Sequence, residues 1–372
     1  MLEIIRPTLV IDKKVCLQNI ERMAKKAAEN NLHFRPHFKT HQSAKIGEWF
    51  KLFGVKAITV SSVQMAEYFA AHGWKDITIA FPVNILEIKN INRLASKIKM
   101  GITVENIEAA RILAEKAIYP LSIWIKIDTG YNRTGIDASD TFLIDSVIHH
   151  ISLGQNLVFK GFLTHTGQTY QTNSTGEIFT AHFDALLKLK SLKNRYSSTY
   201  NNVEISMGDT PAATICTNFS GVDEIRPGNF VFYDVMQQNL GVCSFNDIAV
   251  RMVCPVVAKH ASRNEVVIHG GAVHFSKDEV RNTDGKKMFG RIVINRNGEK
   301  ILLDTLNYLS KLSQEHGILK VAQSQMGNFK VGDLVEILPV HSCLTANLMS
   351  HYRTAEGDLI EMMPRISSEF RV

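Results

Sequence analysis

The 372-residue sequence lacks the patterns that mark several large classes of protein. Its five cysteines are odd in number, scattered and without a CxxC pair, which argues against a disulfide framework and predicts reduced thiols. No run of five or six basic residues occurs, although the formal net charge is +6. No stretch reaches the ~18 apolar residues of a membrane span, and the N-terminal segment has no long apolar core of a signal peptide. We therefore expect a cytoplasmic protein with no nucleic-acid and no membrane partner.

Short apolar runs alternate with helical patterns through the first 230 or so residues. Eight of the runs are typical of strands: HFRP (33–36), AITV (57–60), ITIA (77–80), GITV (101–104), LSIWIKI (121–127), VFKGFLT (158–164), VEISM (203–207) and DEIRP (223–227). Near-continuous apolar strands that alternate with helices indicate a parallel sheet buried on both faces. Eight such units predict an α/β fold, a (β/α)8 TIM barrel.

The pattern changes after residue 240, where β-type runs are separated by turn signals and helical patterning nearly disappears. We predict a barrel domain over residues 1–240 and a mainly antiparallel β domain over residues 241–372. Periodicity does not place the segment 1–12, which could pair with either domain.

In a (β/α)8 barrel, the polar residues that matter for chemistry lie at the C-terminal ends of the strands. Lys39 follows the first run directly, between His37 and His41 in the stretch RPHFKTHQSAK. A lysine desolvated at a barrel mouth can act as an amine nucleophile. A lysine that extends into solvent from a polar loop is the alternative interpretation of this stretch.

The other strand ends add further polar groups. These are Asp128 and Arg133 after the fifth run, His165 and Tyr170 after the sixth, Gly208, Asp209 and Thr210 after the seventh, and Arg226, Gly228 and Tyr233 after the eighth. The Gly-Asp-Thr stretch offers backbone N–H groups as a phosphate cradle. A lysine, an imidazole, two arginines and an anion site are the parts that pyridoxal 5'-phosphate (PLP) needs.

Five motifs lie in order between residues 35 and 343: RPHFKTH, IDTGYNRTGI, GFLTHTGQTY, RPGNFVFYD, and EHG followed by PVHSC. With them the chain resembles the D-threonine aldolase and D-serine dehydratase family, whose barrel is similar to that of alanine racemase. The resemblance implies that Lys39 is the catalytic lysine that carries PLP. It implies these further cofactor-binding residues: Arg133 at the phenolate oxygen, His165 against the ring, Arg226 at the pyridine nitrogen, Gly208, Thr210, Gly228 and Asn229 at the phosphate, and Tyr170 and Tyr233 nearby.

His341 and Cys343 are two residues apart at the end of a β run, so their side chains can point the same way. An imidazole with a thiolate suits zinc and leaves coordination positions open, but the pair alone is as typical of a buried structural contact. The resemblance implies a divalent metal here, zinc, with manganese as the alternative. Glu315 and His316 match a family motif and either support the metal or the substrate, or belong to a solvated loop.

The resemblance implies a PLP- and metal-dependent lyase that acts on a small D-β-hydroxy amino acid. Aldolases of the family tend to carry aspartate at the position of Cys343, so a dehydratase of the D-serine or D-threo-3-hydroxyaspartate type is favoured, giving a 2-oxo acid and ammonia. The alternatives are a D-threonine aldolase, which gives glycine and an aldehyde, and an amino acid racemase. His274 stands where many relatives have a lysine, which leaves the substrate pocket open. A homodimer is expected from the resemblance.

Two hypotheses from other classes compete with a lyase. A PLP-carrying binding protein without turnover is disfavoured, because such proteins are usually the barrel alone. A metal-only hydrolase would need more His and Asp ligands at the strand ends than the sequence offers.

Overall fold

The computed structural model describes residues 3–296 and 299–365, with the side chain of Arg296 left aside. Contacts divide the chain into two compact units. The barrel unit comprises residues 20–39 and 47–230, and the sheet unit comprises the residues up to 19, 40–46 and 231–364. The division by contacts falls between Phe230 and Val231, earlier than the predicted boundary at 240. Within the described part of the chain, no helix is long and apolar enough to cross a membrane.

The chain begins with β1 (Thr8–Ile11), a strand of the sheet unit, and helix α1 (Lys13–Glu29). The strands of the barrel unit follow as β2 (His33–Phe34), β3 (Ile58–Val60), β4 (Asp76–Pro82), β5 (Lys99–Val104), β6 (Leu121–Asp128), β7 (Ile136–Asp137), β8 (Leu157–His165), β9 (Glu204–Gly208) and β10 (Glu224–Ile225). Apart from β7, which pairs only with β6, they form a parallel sheet in the order β2-β10-β9-β8-β6-β5-β4-β3. A parallel bridge between His37 and Thr59 joins the two ends. The predicted eight-stranded barrel is confirmed.

Helices connect the barrel strands, and side-chain caps fix where several of them begin. The connecting helices are α2 (Ala44–Lys51), α3 (Val63–Ala71), α4 (Ile88–Ala95), α5 (Ile107–Lys116), α6 (Thr141–Leu153), α7 (Thr175–Tyr196) and α8 (Thr210–Ile215). Ser62, Asn106 and Ser174 each accept a hydrogen bond from a backbone N–H in the first turn of α3, α5 and α7. These caps satisfy N–H groups that a helix start leaves without an intrahelical partner.

A bulge in β8 sets the direction of the side chains at the end of that strand. Phe159 pairs with Ile123 and Gly161 pairs with Trp124, so Lys160 is an extra residue in the ladder. Gly161 has a φ of +144°, and a Cβ there would lie 2.0 Å from the carbonyl oxygen of Glu204. Only glycine therefore fits at this bulge. An extra residue reverses the alternation of side chains along the rest of the strand.

The sheet unit is built mainly from antiparallel strands. Its elements after residue 230 are α9 (Val235–Asn239), β11 (Val250–His260), β12 (Glu265–His269), α10 (Ala272–Phe275), β13 (Val280–Arg281), β14 (Lys287–Met288), β15 (Gly290–Arg296), β16 (Glu299–Leu302), β17 (Tyr308–Leu312), β18 (His316–Lys320), β19 (Leu334–Pro339), α11 (Ser342–Leu348), β20 (His351–Thr354) and β21 (Leu359–Glu361). The predicted antiparallel β domain is confirmed.

Six of these strands close into a ring. The pairings run β11-β12-β18-β17-β15-β19 and return from β19 to β11, all antiparallel. Strand β1 extends this sheet, antiparallel to β11 and parallel to β20. The N-terminal segment, which periodicity did not place, therefore pairs within the sheet unit.

Candidate active site

The turn that carries Lys39 lies at the C-terminal end of the first barrel strand. The backbone N–H of His37 donates to the carbonyl of Pro227 at 2.9 Å, which ties the turn to the residues after β10. Nδ1 of the same histidine accepts the backbone N–H of Lys39 at 3.3 Å. The side chain of Lys39 is exposed, so burial of the lysine itself is not what prepares it for chemistry. Its charged neighbours are the remaining influence.

Cationic side chains crowd around Lys39 within the barrel unit. Burial and then the charges of Lys39, Arg226, His165 and Lys126 lower the pKa of His37 well below its ordinary value. Burial and then Arg226 and Arg133 lower the pKa of Lys126 to about 7, against a smaller opposing effect of a glutamate. Burial and then the charges of Lys39 and Arg133 also lower the pKa of His165 well below its ordinary value.

Lys126 is a residue that sequence analysis missed. It is 3% exposed, on β6, and Glu105 is the acidic group that opposes the lowering of its pKa. A lysine inside the apolar run LSIWIKI was the available signal, because a buried strand rarely carries an unpaired charge.

His165 is the last residue of β8, and its ring is fixed from one side. Nδ1 lies 2.5 Å from the carbonyl oxygen of Gly208, so Nδ1 carries the proton and donates it to that oxygen. A Cβ on Gly208 would lie 3.0 Å from Nη1 of Arg226, a distance that real Cβ atoms rarely reach. Glycine at 208 therefore allows the arginine to lie close to the backbone.

Arg226 is 4% exposed, and neighbouring strands hold its guanidinium. Nε donates to Oγ of Ser206 at 2.6 Å, and Nη2 donates to the carbonyl of Thr164. Burial is the main cause that lowers the pKa of Arg226 to about 10, partly opposed by Glu224. The guanidinium therefore stays charged at neutral pH.

In the predicted phosphate cradle, the backbone N–H and the hydroxyl of Thr210 already form hydrogen bonds within the protein. The backbone N–H of Thr210 donates to the hydroxyl of Tyr170 at 3.2 Å, and Oγ1 of Thr210 accepts the N–H of Phe230 at 3.3 Å. The ring of Tyr170 lies 6.1 Å from that of His165. These contacts bring the Gly208–Thr210 turn and the Gly228–Asn229 segment together, as the phosphate prediction requires.

A tight turn presents Arg133. Oδ1 of Asp128 accepts the N–H groups of Gly130 and Tyr131 at 2.8 and 2.9 Å, which folds the loop after β6. The guanidinium carbon of Arg133 lies 5.0 Å from the centre of the Tyr131 ring, within cation–π range. That ring stands nearly perpendicular to His165 at 5.9 Å.

The barrel residues fit PLP by their charge and their chemistry. Two arginines and two lysines repel one another in a partly buried place, and an anionic ligand would relieve that repulsion. PLP brings a phosphate, a phenolate and a carbonyl that a lysine amine can attack. Tyr233, predicted as a further cofactor neighbour, belongs to the sheet unit, where it is buried with a φ of +47°.

His341 and Cys343 do not lie on a strand, and the predicted extended spacing is wrong. β19 ends at Pro339, His341 is the cap of α11, and Cys343 is the second residue of that helix. The cause is Asp234, whose Oδ2 accepts the N–H of Ser342 at 3.0 Å and its hydroxyl at 3.2 Å. The two side chains nevertheless form a hydrogen bond with each other.

Negative groups surround His341. Its Nδ1 lies 2.5 Å from Oδ2 of Asp278. Burial by itself lowers the pKa of His341, but the hydrogen bonds with Asp278 and Cys343 and the charges of Cys343 and Asp234 outweigh it and raise the pKa to about 11. Sγ of Cys343 lies 3.3 Å from Oγ1 of the buried Thr40. A thiol and an imidazole among carboxylates fit a divalent cation, which can take the place of the imidazole proton.

Glu315 and His316 take no part in this pair within the described residues. Oε2 of Glu315 lies 3.6 Å from Nε2 of His269 and 3.9 Å from Nε2 of His274. Their three ligand atoms are close enough together to hold a metal. His316 is exposed and begins β18, opposite His269.

Comparisons with known proteins find matches to both units of the chain. The family model "Alanine racemase, N-terminal domain" matches residues 11–235, and the model "Putative serine dehydratase domain" matches residues 249–355. The chain is 28% identical to D-serine dehydratase of Dictyostelium discoideum, over 95% of this chain and 93% of the relative. It is 24% identical to 3-hydroxy-D-aspartate aldolase of Paracoccus denitrificans (strain Pd 1222), over 98% of this chain and 92% of the relative.

Solved structures show a similar fold over nearly the whole chain. D-threo-3-hydroxyaspartate dehydratase from Delftia sp. HT23 superposes with a TM-score of 0.87 and 26% identity, over 96% of this chain and 97% of that one. Solved variants of that dehydratase include a histidine-to-alanine change and, two positions further on, a cysteine-to-alanine change in the metal-free form. The chain belongs to the alanine racemase N-terminal domain family and carries a serine dehydratase domain after its barrel.

Proposed function

We propose that the chain is a PLP- and zinc-dependent lyase that dehydrates a D-β-hydroxy amino acid of the D-serine or D-threo-3-hydroxyaspartate type. The products are a 2-oxo acid and ammonia. The observation that carries the proposal is the pairing of two chemistries: a cationic lysine site in the barrel unit and a histidine–cysteine pair among carboxylates in the sheet unit. The relatives named above, two dehydratases and an aldolase, support the reaction class.

PLP, when bound, supplies an electron sink that stabilises negative charge at the amino acid Cα. Lys39 would hold the cofactor through Nζ and would accept the Cα proton of the substrate at the same atom. His165 keeps its ring in place by donating Nδ1–H to Gly208, which leaves Nε2 free of a proton. Arg226 remains charged and held by Ser206, so it places positive charge near the cofactor without moving.

Nε2 of His341 and Sγ of Cys343 would hold a divalent metal, which would supply the Lewis acidity that makes a β-hydroxyl a better leaving group. The thiol is a soft ligand, and soft ligands favour zinc over manganese. Thr40 contacts the sulfur, and its hydroxyl can donate to a thiolate there.

Dehydration and aldol cleavage differ in the bond that breaks, and Cys343 favours the first. In dehydration the Cα proton would go to Nζ of Lys39, the β-hydroxyl would take up a proton and leave as water, and the released enamine would add water and lose ammonia to give a 2-oxo acid. In aldol cleavage the β-hydroxyl would lose its proton, the Cα–Cβ bond would break, and Cα would take up a proton, which gives glycine and an aldehyde. The solved D-threo-3-hydroxyaspartate dehydratase also has a cysteine two positions after a histidine, as Cys343 follows His341, and this supports dehydration.

The test is a product assay on purified protein supplied with PLP and zinc. D-Serine, D-threonine and D-threo-3-hydroxyaspartate are offered in turn, and 2-oxo acid, ammonia, glycine and aldehyde are measured together. A 2-oxo acid with equal ammonia and no glycine is the expected result. Glycine with aldehyde would instead establish the aldolase, and loss of optical activity without either product would establish the racemase.

We also propose a homodimer in a cytoplasmic setting, both as extensions of the family resemblance. None of the five cysteines is in a disulfide, which suits a reducing compartment. Mass photometry at nanomolar concentration tests the dimer, with a mass near twice the 41.7 kDa of the chain expected.

A further inference from the structure

Asp278 contacts the Nδ1 side of the His341 ring. The distance between Oδ2 and Nδ1 is 2.5 Å, and the two residues are 63 positions apart in the chain. A carboxylate only accepts hydrogen bonds, so the proton of a neutral His341 lies on Nδ1. Nε2 then keeps its lone pair, which is the state that a metal ligand requires.

Hydrogen bonds fix the backbone on both sides of the contact between Asp278 and His341. Ser276 ends α10 with a φ of +68°, and its hydroxyl accepts the N–H of Asp278 at 3.1 Å. Oγ1 of Thr345, in α11, donates to the carbonyl of Phe275 at 3.1 Å, while its N–H donates to the carbonyl of His341. The segment that carries the carboxylate and the helix start that carries the imidazole are therefore tied together.

His274 in the same unit shows the opposite protonation. Its Nδ1 accepts the backbone N–H of Gly271 at 3.2 Å, so the proton of the neutral ring lies on Nε2. That nitrogen faces Glu315, and metal binding there would need the ring proton to move to Nδ1, which would break the hydrogen bond from Gly271. The His269–His274–Glu315 cluster thus has the spacing of a metal site but lacks the tautomer, and we assign no metal to it.

We propose that Asp278 is a positioning residue that holds His341 as the Nδ1–H tautomer and thereby sets the affinity of the His341–Cys343 pair for its metal. The inference rests on the proposed function, because it needs the metal at that pair. A carboxylate on the far nitrogen of a ligating histidine typically strengthens metal binding by about 10–100-fold. Asp278 contacts the imidazole of His341, so its effect on the metal passes through that ring.

The experiment measures zinc affinity directly. PLP-loaded protein is stripped of metal with a chelator and titrated with zinc against a chromogenic competitor, for the wild type, Asp278→Asn, Asp278→Ala, His341→Ala and Glu315→Gln. We expect Asp278→Ala to weaken zinc binding by about 10–100-fold and Asp278→Asn by less, because an amide oxygen can still accept from Nδ1–H. Glu315→Gln is the matched control and should bind zinc as the wild type does.

Two further readouts separate positioning from folding. The far-UV circular dichroism of the metal-free variants and the PLP absorbance should match the wild type, and cobalt added to Asp278→Asn should still show a thiolate charge-transfer band. Wild-type zinc affinity in Asp278→Ala, with the expected loss in His341→Ala, would overturn the role of Asp278 alone. Unchanged affinity in His341→Ala would overturn the metal pair and the inference together.

Discussion

The two candidate sites of the molecule have opposite charge. In the barrel unit, burial and then the charges of nearby lysines and arginines lower the pKa of Lys126, His37 and His165. In the sheet unit, carboxylates and a thiol raise the pKa of one histidine to about 11. The barrel arrangement is costly without a ligand, because like charges in a partly buried place repel. This difference in charge indicates which ligand each site suits. The first site suits an anionic cofactor, and the second suits a divalent cation.

Replacement of Lys39 should reduce turnover more than any other substitution predicted below. Lys39→Ala removes the amine that binds the cofactor and accepts the Cα proton, so turnover should fall by about 10³-fold or more. The absorbance of PLP-loaded protein near the visible edge should change with it. Lys56→Ala, an exposed lysine elsewhere in the barrel unit, is the control. A wild-type spectrum in Lys39→Ala would remove this lysine from its role.

Replacement of Cys343 should affect the sheet unit and leave the barrel site intact. Cys343→Ala removes one of two protein ligands, and we expect zinc content near zero and turnover reduced by about 10²-fold or more. The PLP absorbance should stay as in the wild type. Metal content by mass spectrometry and turnover are the measurements, with Cys243→Ala as the matched cysteine control. Full turnover in a metal-free variant would exclude the Lewis-acid step and favour racemisation.

A smaller effect, on thermal stability, tests the repulsion between Lys126 and the positive charges around it. Burial and Arg226 lower the pKa of Lys126 from 10.5 to about 7 in the folded state. Between these pH values the unfolded chain binds a proton that the folded chain does not, so stability rises with pH across this window. Lys126→Met removes that dependence and should raise the melting temperature of cofactor-free protein at pH 7 by a few degrees, on the order expected for small free-energy changes.

The gain from Lys126→Met should shrink as the pH rises from 7 toward 10, where wild-type Lys126 loses its proton in the unfolded state as well. Thermal unfolding at pH 7 and pH 9 measures it. Lys160→Met, which loses an ion pair with Glu204, should destabilise at both pH values and is the control. An equal shift for Lys126→Met at both pH values would contradict the lowered pKa.

The fold could be predicted from the sequence because its strands are continuous apolar runs. The run LSIWIKI became β6 and VFKGFLT became β8 within a residue or two at each end. The run HFRP gave only the two-residue strand β2, since Pro36 has no N–H to continue a ladder. Periodicity could not place the first strand, whose partners β11 and β20 lie more than 200 residues away.

The sites were harder to predict where the contacts are long-range. The spacing of His341 and Cys343 suggested a strand, but the helix start there depends on Asp234, 108 residues earlier. The sequence around Asp278 does not predict its contact with His341 either, because only the folded sheet unit brings the two residues together. In the barrel unit, by contrast, each predicted residue follows a strand whose end the sequence marks, so the fold itself brings them to one rim.

Chemical location of the cofactor tests the central claim most directly. Reduction of PLP-loaded protein with borohydride makes the bond between lysine and cofactor permanent, and peptide mass spectrometry then identifies the lysine. We expect the added mass on the peptide that contains Lys39, and its absence from the same peptide in Lys39→Ala. The added mass on Lys126, or on no lysine at all, would contradict the account.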